Sequence, residues 1–208
     1  MDVLIASRNH HKIDEIRAVF RLPVLTLVAA DEIPGLPEVN EDGQTFEDNA
    51  VKKAVTLALV SKRWTLADDS GLEVEALNGE PGVYSARYAG VPSNDKANND
   101  KLLQALQETK NRRARFVCAL ALSSPSGRVQ FVQGICAGTL LEEPRGIYGF
   151  GYDPLFLPEG QSQTFAELPA ALKNTISHRA KALAQARERW GQCLSQEPDE
   201  WPTRRLTW

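Results

Sequence analysis

The chain has 208 residues, 42% of them hydrophobic and 25% charged, with a formal net charge of -3. This is enough apolar material for one sizeable core, and the slightly acidic balance excludes a general attraction to nucleic acid or an anionic membrane, so any recognition of phosphate must come from a local cluster of Lys and Arg. Cys118, Cys136 and Cys193 lie far apart without zinc-ligand spacing, no apolar run reaches membrane-spanning length, and the start Met1-Asp2-Val3-Leu4-Ile5 lacks a basic leader, so the expected location is the cytoplasm.

In chain order, Val3 to Ser7 reads as a strand, and Ile13, Ile16, Val19 and Phe20 then recur at helical spacing. Leu25 to Ala29 is a second strand. Asp31 to Gln44, rich in Pro, Gly and acids, is a loop, and Thr45 with Asp48 forms a capping box opening a helix that runs to Ser61. Asp48 and Lys52 are spaced for an i,i+4 pair on that helix. Thr65 to Ala67 is a strand expected to end at Asp68-Asp69-Ser70-Gly71. After a loop from Asn78 to Pro92, Ser93 is expected to cap a helix bearing Leu102, Leu103 and Leu106. Arg115 to Ser123 and Val129 to Ala137 form a hairpin across Ser124-Pro125-Ser126-Gly127-Arg128. The last helix is expected to begin near Ser177. The reading is one domain over residues 1–195, with 196–208 as an irregular tail.

The pair Asp68-Asp69 is the most chemical feature. Asp is depleted in strands, and a buried ionised carboxylate is costly unless a cation or donors compensate it. Oxygen ligands favour a hard cation such as Mg²⁺, which takes one or two carboxylates and leaves its other positions to water and phosphate. Asp68-Asp69-Ser70-Gly71 would also suit an ordinary polar turn.

Other polar clusters sit at loop or helix ends. Ser7-Arg8-Asn9-His10-His11-Lys12 lies where a strand enters a helix, so free amides and the positive dipole end can meet an anion. His10 and His11 point about 100° apart as neighbours on a helix start and are read as solvated. Asn49, Lys53 and Glu41 can converge on the aspartates, because ligands of α/β sheets gather beyond strand ends. Gly146-Ile147-Tyr148-Gly149-Phe150-Gly151-Tyr152-Asp153-Pro154 offers an aromatic face for a planar base, or a turn that merely closes a core. Lys173 to Lys181 brings cations to a helix start.

Ser7-x-Asn9-x-x-Lys12-x-x-Glu15, Thr45-Phe46-Glu47-Asp48-Asn49-Ala50, Ala67-Asp68-Asp69-Ser70-Gly71-Leu72, Gly82-Val83-Tyr84-Ser85-Ala86-Arg87-Tyr88, Gly149-Phe150-Gly151-Tyr152-Asp153-Pro154 and Ile176-Ser177-His178-Arg179 occur in one order. Together they resemble the inosine/xanthosine triphosphate pyrophosphatase family, over about residues 3–190. The resemblance implies an α/β fold with a long mixed sheet, flanking helices and two lobes around a substrate cleft. It implies a homodimeric, Mg²⁺-dependent hydrolase that cleaves deaminated purine nucleoside triphosphates to the monophosphate and pyrophosphate.

By the same resemblance, Asp69 is the catalytic and metal residue. Ser7, Arg8, Asn9, His10, His11, Lys12 and Ser70 meet phosphates and sugar, and Lys53 helps hold the triphosphate. Phe150, Gly151, Tyr152 and Asp153 wall the base pocket, while Lys173, His178 and Arg179 contact the base edge. Family members commonly carry two glutamates where this chain has Asn40-Glu41, so Glu41 is the expected second metal ligand. Two alternatives remain on the residues: a related pyrophosphatase for other modified nucleotides, and a non-catalytic nucleotide sensor. No nucleic-acid or membrane partner is expected.

Overall fold

A computed structural model describes residues 1–196 and 198–201. Six strands form one mixed sheet in the order β2-β1-β3-β4-β5-β6. They are β1 (Asp2–Ile5), β2 (Thr26–Ala29), β3 (Trp64–Val74), β4 (Arg113–Ser123), β5 (Val129–Leu140) and β6 (Phe156–Pro158). The flanking helices are α1 (His10–Val19), α2 (Phe46–Ser61), α3 (Asp95–Ala105), α4 (Ala170–Ile176) and α5 (His178–Leu194). β1 pairs in parallel with β2 and β3, and every later pairing is antiparallel. The fold is therefore α/β with a mixed sheet, as the sequence led us to expect.

The main departure concerns β3. It does not stop at the aspartates but carries them through its middle to Val74. β1 pairs with β3 only from Trp64 to Leu66, and its last bond is Ala6 N–H to the Leu66 carbonyl at 2.8 Å. β4 meanwhile pairs with β3 from Thr65 to Val74. The strand is thus kept extended on one side while its other side opens where β1 leaves it. That opening lets strand backbone carry two carboxylates.

Strand periodicity sends the two aspartates to opposite faces. On the Asp68 face, Leu66 joins a core with Val3, Ile5, Cys118, Leu120 and the α5 residues Leu183 and Trp190. On the Asp69 face, Ala67 packs with Leu4, Val117, Ala119 and the α2 residues Ala50 and Ala54. Small side chains on both partners let α2 lie close to the sheet, bringing its polar positions within reach of β3. A third core of Leu72, Phe116, Phe156 and Phe165 includes Leu102 and Leu106 from the α3 region.

The capping box is present, with Thr45 accepting from Asp48 N–H and Asp48 from Thr45 N–H, each at 3.1 Å. Asp48 is thereby occupied, and Lys52 pairs instead with Asp42 at 2.5 Å. Asn94, not Ser93, caps α3 by accepting from Ala97 N–H at 2.9 Å, while Ser93 bonds the Ala86 carbonyl. Ser177 caps α5 through Ala180 N–H at 3.1 Å, with the short α4 placed just before it. Gln196 and residues 198–201 form neither helix nor strand. Trp201 nevertheless packs edge-on against Trp64, 4.8 Å between ring centroids, and donates to the Arg128 carbonyl at 2.8 Å. The rest of the expected tail, 197 and 202–208, lies outside the described residues. Among the described residues, no helix is long and apolar enough to cross a membrane.

Candidate active site

The site forms where β1 ends beside the middle of β3. A 260 Å³ cleft there is lined by Ser7, Arg8, Asn9, Lys12, Glu41, Lys53 and Asp68, among others. Asn9 caps α1 by accepting from Lys12 N–H at 3.3 Å, and Ser7 Oγ accepts from Asn9 N–H at 3.1 Å. This geometry turns the start of α1 toward the cleft, where the dipole favours an anion. His10 stays exposed near Asp31 at 3.7 Å. His11 is exposed, as expected, and also stacks on Phe150 with a centroid separation of 5.1 Å and an interplanar angle of 9°.

Asp68 is enclosed by cations and donors. Lys12 Nζ lies 2.6 Å from Oδ1, and Arg179 Nε 3.0 Å from Oδ2. Ser70 Oγ donates to Oδ1 at 3.1 Å and Cys118 Sγ to Oδ2 at 3.0 Å. Burial alone would raise its pKa, but the Arg179 guanidinium and Lys12 ammonium hold the carboxyl well below the usual range.

Asp69 is compensated less fully. Asn49 Nδ2 donates to Oδ2 at 3.1 Å, and Lys53 Nζ stands 3.3 Å from Oδ1. Lys53 is shared, with the Glu41 carboxylate at 2.5 Å and the Asp68 carbonyl at 2.7 Å. Burial therefore dominates, and the pKa of Asp69 is pushed above the ordinary carboxylate value. Lys53 is held protonated despite its own burial by Asp69 and Glu41. The convergence of Asn49, Lys53 and Glu41 on the aspartates is thus present. Asn40 is exposed, with its amide directed to Asp42 at 3.5 Å.

The aromatic wall and the cationic residues meet on the other side. Phe150 N–H donates to Asp153 Oδ2 at 2.9 Å, and Lys173 Nζ reaches the same oxygen at 2.5 Å. Gly149 is required in this turn, because a Cβ there would stand 2.0 Å from that oxygen and its φ is +73°. The Lys173 ammonium is 5.0 Å from the Phe150 centroid and the Arg179 guanidinium 5.9 Å. Tyr152 is buried, with its hydroxyl donating to the Ser85 carbonyl at 2.9 Å.

Glu15 was quoted in the first motif but given no role, and it proves central. It pairs with Lys173 at 2.9 Å and with Arg179 Nη1, joining α1 to α4 and α5. Its signal was available, since Glu15 lies three residues after Lys12 and so on the same helix face. Arg179 is 1% exposed and bonds Asp68, Glu15 and Ser70 Oγ, the last at 2.8 Å. The sequence reading missed this buried role because it required long-range partners on two elements, Asp68 and Ser70 on β3 and Glu15 on α1.

His178 stacks on Phe116 with centroids 4.7 Å apart, and its buried Nδ1 has no partner among the described residues. Gly134 makes room for it: a Cβ there would meet the His178 carbonyl at 2.1 Å. Burial, then Arg179 and Lys173, hold the imidazole pKa well below its ordinary 6.5. The unfolded chain therefore binds a proton that the folded chain refuses, and stability falls as pH drops below about 6.5. One such proton gives a slope of up to about 1.4 kcal/mol per pH unit. We expect His178→Phe to flatten the dependence of the urea midpoint on pH between about 6.5 and about 5; an unchanged slope would mean that His178 is not its source.

Fold and site together define an α/β protein with a cleft lined by the carboxylates of Asp68 and Glu41 and the ammonium groups of Lys12 and Lys53. The sequence model of the Ham1 family matches residues 3–189, and the chain belongs to that family. A dITP/XTP pyrophosphatase of Desulforamulus reducens is 49% identical over 190 residues, covering 90% of this chain and 94% of the relative. The Ham1 protein of Staphylococcus aureus superposes with a TM-score of 0.83 at 39% identity, covering 95% of this chain and 100% of that one. A HAM1 protein from Coxiella burnetii gives 0.85 at 37% identity, covering 92% and 99%.

Proposed function

We propose that this protein hydrolyses deaminated purine nucleoside triphosphates, such as ITP, dITP and XTP, to the monophosphate and pyrophosphate. The observation that carries this reading is the buried, under-compensated Asp69, joined through Lys53 to Glu41 at the edge of a cleft lined by Lys12. The dITP/XTP pyrophosphatases among the relatives supply the substrate class.

Asp69 and Glu41 fit a hard cation. Both offer oxygen, and a shared ammonium already stands beside both carboxylates. An ion held there by two carboxylates would leave its other positions to water and substrate. When bound, Mg²⁺ would neutralise charge developing on the phosphate oxygens. Lys12 and the start of α1 hold the phosphate chain, and Lys53 sets the position of Asp69. Asp69 orients the attacking water and accepts its proton, which its raised pKa favours. Ser7 to Lys12 and Ser70 serve the phosphate and sugar, with Phe150 to Asp153 as the base wall.

Lys173, His178 and Arg179 form the base edge. A 6-keto purine presents an acceptor where adenine presents a donor, and such a mismatch can discriminate by up to ~10⁴-fold. On the same reading residues 1–195 form the catalytic unit, and the protein works as a cytoplasmic homodimer without nucleic-acid or membrane partners. The test is pyrophosphate release from a panel of nucleoside triphosphates with and without Mg²⁺. kcat/KM for ITP, dITP and XTP should exceed that for ATP, CTP and UTP by about 10²-fold or more. Equal rates across the panel would defeat the base-selective reading.

A further inference from the structure

The loop that carries Phe150 is held from two sides. Within it, Asp153 takes the Phe150 N–H. From outside, α3 grips both polar groups of Gly151: Asp95 Oδ2 accepts from Gly151 N–H at 2.7 Å, and Asn99 Nδ2 donates to the Gly151 carbonyl at 2.9 Å. Asp95 and Asn99 are four residues apart, so one face of α3 makes both bonds. Gly151 itself has φ of +62°, and a Cβ built there would meet nothing within 4 Å. A side chain there would have no neighbour to pack against among the described residues. Both of its backbone polar groups are bonded to α3.

Asn99 makes its bond to Gly151 at a cost. Its Oδ1 is buried and has no partner among the described residues, a desolvation cost that an apolar side chain would avoid. Its neighbour Asn98 anchors the same helix, accepting from Ala89 N–H at 2.7 Å and donating to the Ala86 carbonyl at 3.1 Å. In that turn Arg87 donates to the Glu41 carbonyl at 3.1 Å. α3 is therefore tied on one side to the loop bearing Glu41 and on the other to the loop bearing Phe150.

We infer that Asp95 and Asn99 are positioning residues that clamp Gly151 and so fix the Phe150 ring, setting affinity for the purine end of the substrate without touching it. The inference rests on the proposed function, in that it takes Phe150 as the base wall. A misplaced binding surface weakens capture while leaving the phosphate chemistry in place.

The test compares Asn99→Ala, Asp95→Ala and Asp95→Asn with wild type. The readouts are kcat and KM for ITP, inhibition by inorganic tripolyphosphate, and melting temperature. KM for ITP should rise about tenfold in both alanine variants with kcat within about twofold of wild type. Inhibition by tripolyphosphate, which has no base, should not change. Asp95→Asn keeps an oxygen acceptor for Gly151 and should stay close to wild type. The melting temperature of Asn99→Ala should not fall. An unchanged KM overturns the inference, and so does a joint loss of KM, kcat and tripolyphosphate inhibition accompanied by a lowered melting temperature. Should wild type bind ITP without hydrolysing it, the pyrophosphatase reading fails alone, and the dissociation constant for ITP then decides the clamp by the same criteria.

Discussion

Asp69→Asn is expected to lower kcat by about 10³-fold or more while the protein melts no lower than wild type. The substitution keeps volume and one oxygen but removes the charge that would bind a cation and accept a proton from water. Its effect on folding follows from the direction of the pKa. A carboxyl raised in the folded state is harder to ionise there than in the unfolded chain, so its charge opposes folding at neutral pH. Removing that charge relieves the fold, and Lys53 keeps Glu41 and the Asp68 carbonyl as partners. Activity lost while stability is kept or gained is the signature of a site strained for function. Near wild-type kcat would remove Asp69 from the chemistry, and a large drop in melting temperature would make the carboxylate structural.

Arg179→Ala is expected to cost stability heavily, by about 3–5 kcal/mol in the denaturant-extrapolated free energy. The guanidinium is fully buried and serves Asp68, Glu15 and Ser70 together. Deleting it leaves Asp68 with only Lys12 as a cation partner and Glu15 with only Lys173. The sign with pH agrees. Asp68 has a depressed folded pKa, so its contribution is present above the unfolded value and disappears as pH falls through the folded one. In Arg179→Ala that acid-side contribution should shrink. Arg179→Lys should not restore it, because a single ammonium cannot bond three partners in the geometry of the planar fork. A loss under about 1 kcal/mol would show that the network tolerates an empty position and that Arg179 is held for substrate alone.

These two expectations separate what the sequence made legible from what it did not. Alternating strands and helices, the Thr45-Asp48 box, the turn at Ser124 to Arg128 and the start of the last helix near Ser177 are local, and each is present as read. The continuation of β3 through Asp68 and Asp69 was not legible, because a carboxylate in a strand is tolerable only when distant residues compensate it. Those residues are Lys12, Lys53 and Arg179, on three different helices. The same holds for Arg179. Its motif marks it as important, yet only the fold shows its bonds to Asp68 and Glu15. Glu15 and the α3 clamp have ordinary surface composition in the sequence. Their significance comes from the elements they join.

Identification of the products of dITP tests the central claim most directly. Purified protein is incubated with dITP and Mg²⁺, and the nucleotides and phosphates are separated and quantified by anion exchange. The result expected is dIMP and pyrophosphate in equal amounts with no dIDP, abolished in Asp69→Asn. Accumulation of dIDP with orthophosphate, or intact dITP throughout, would contradict it.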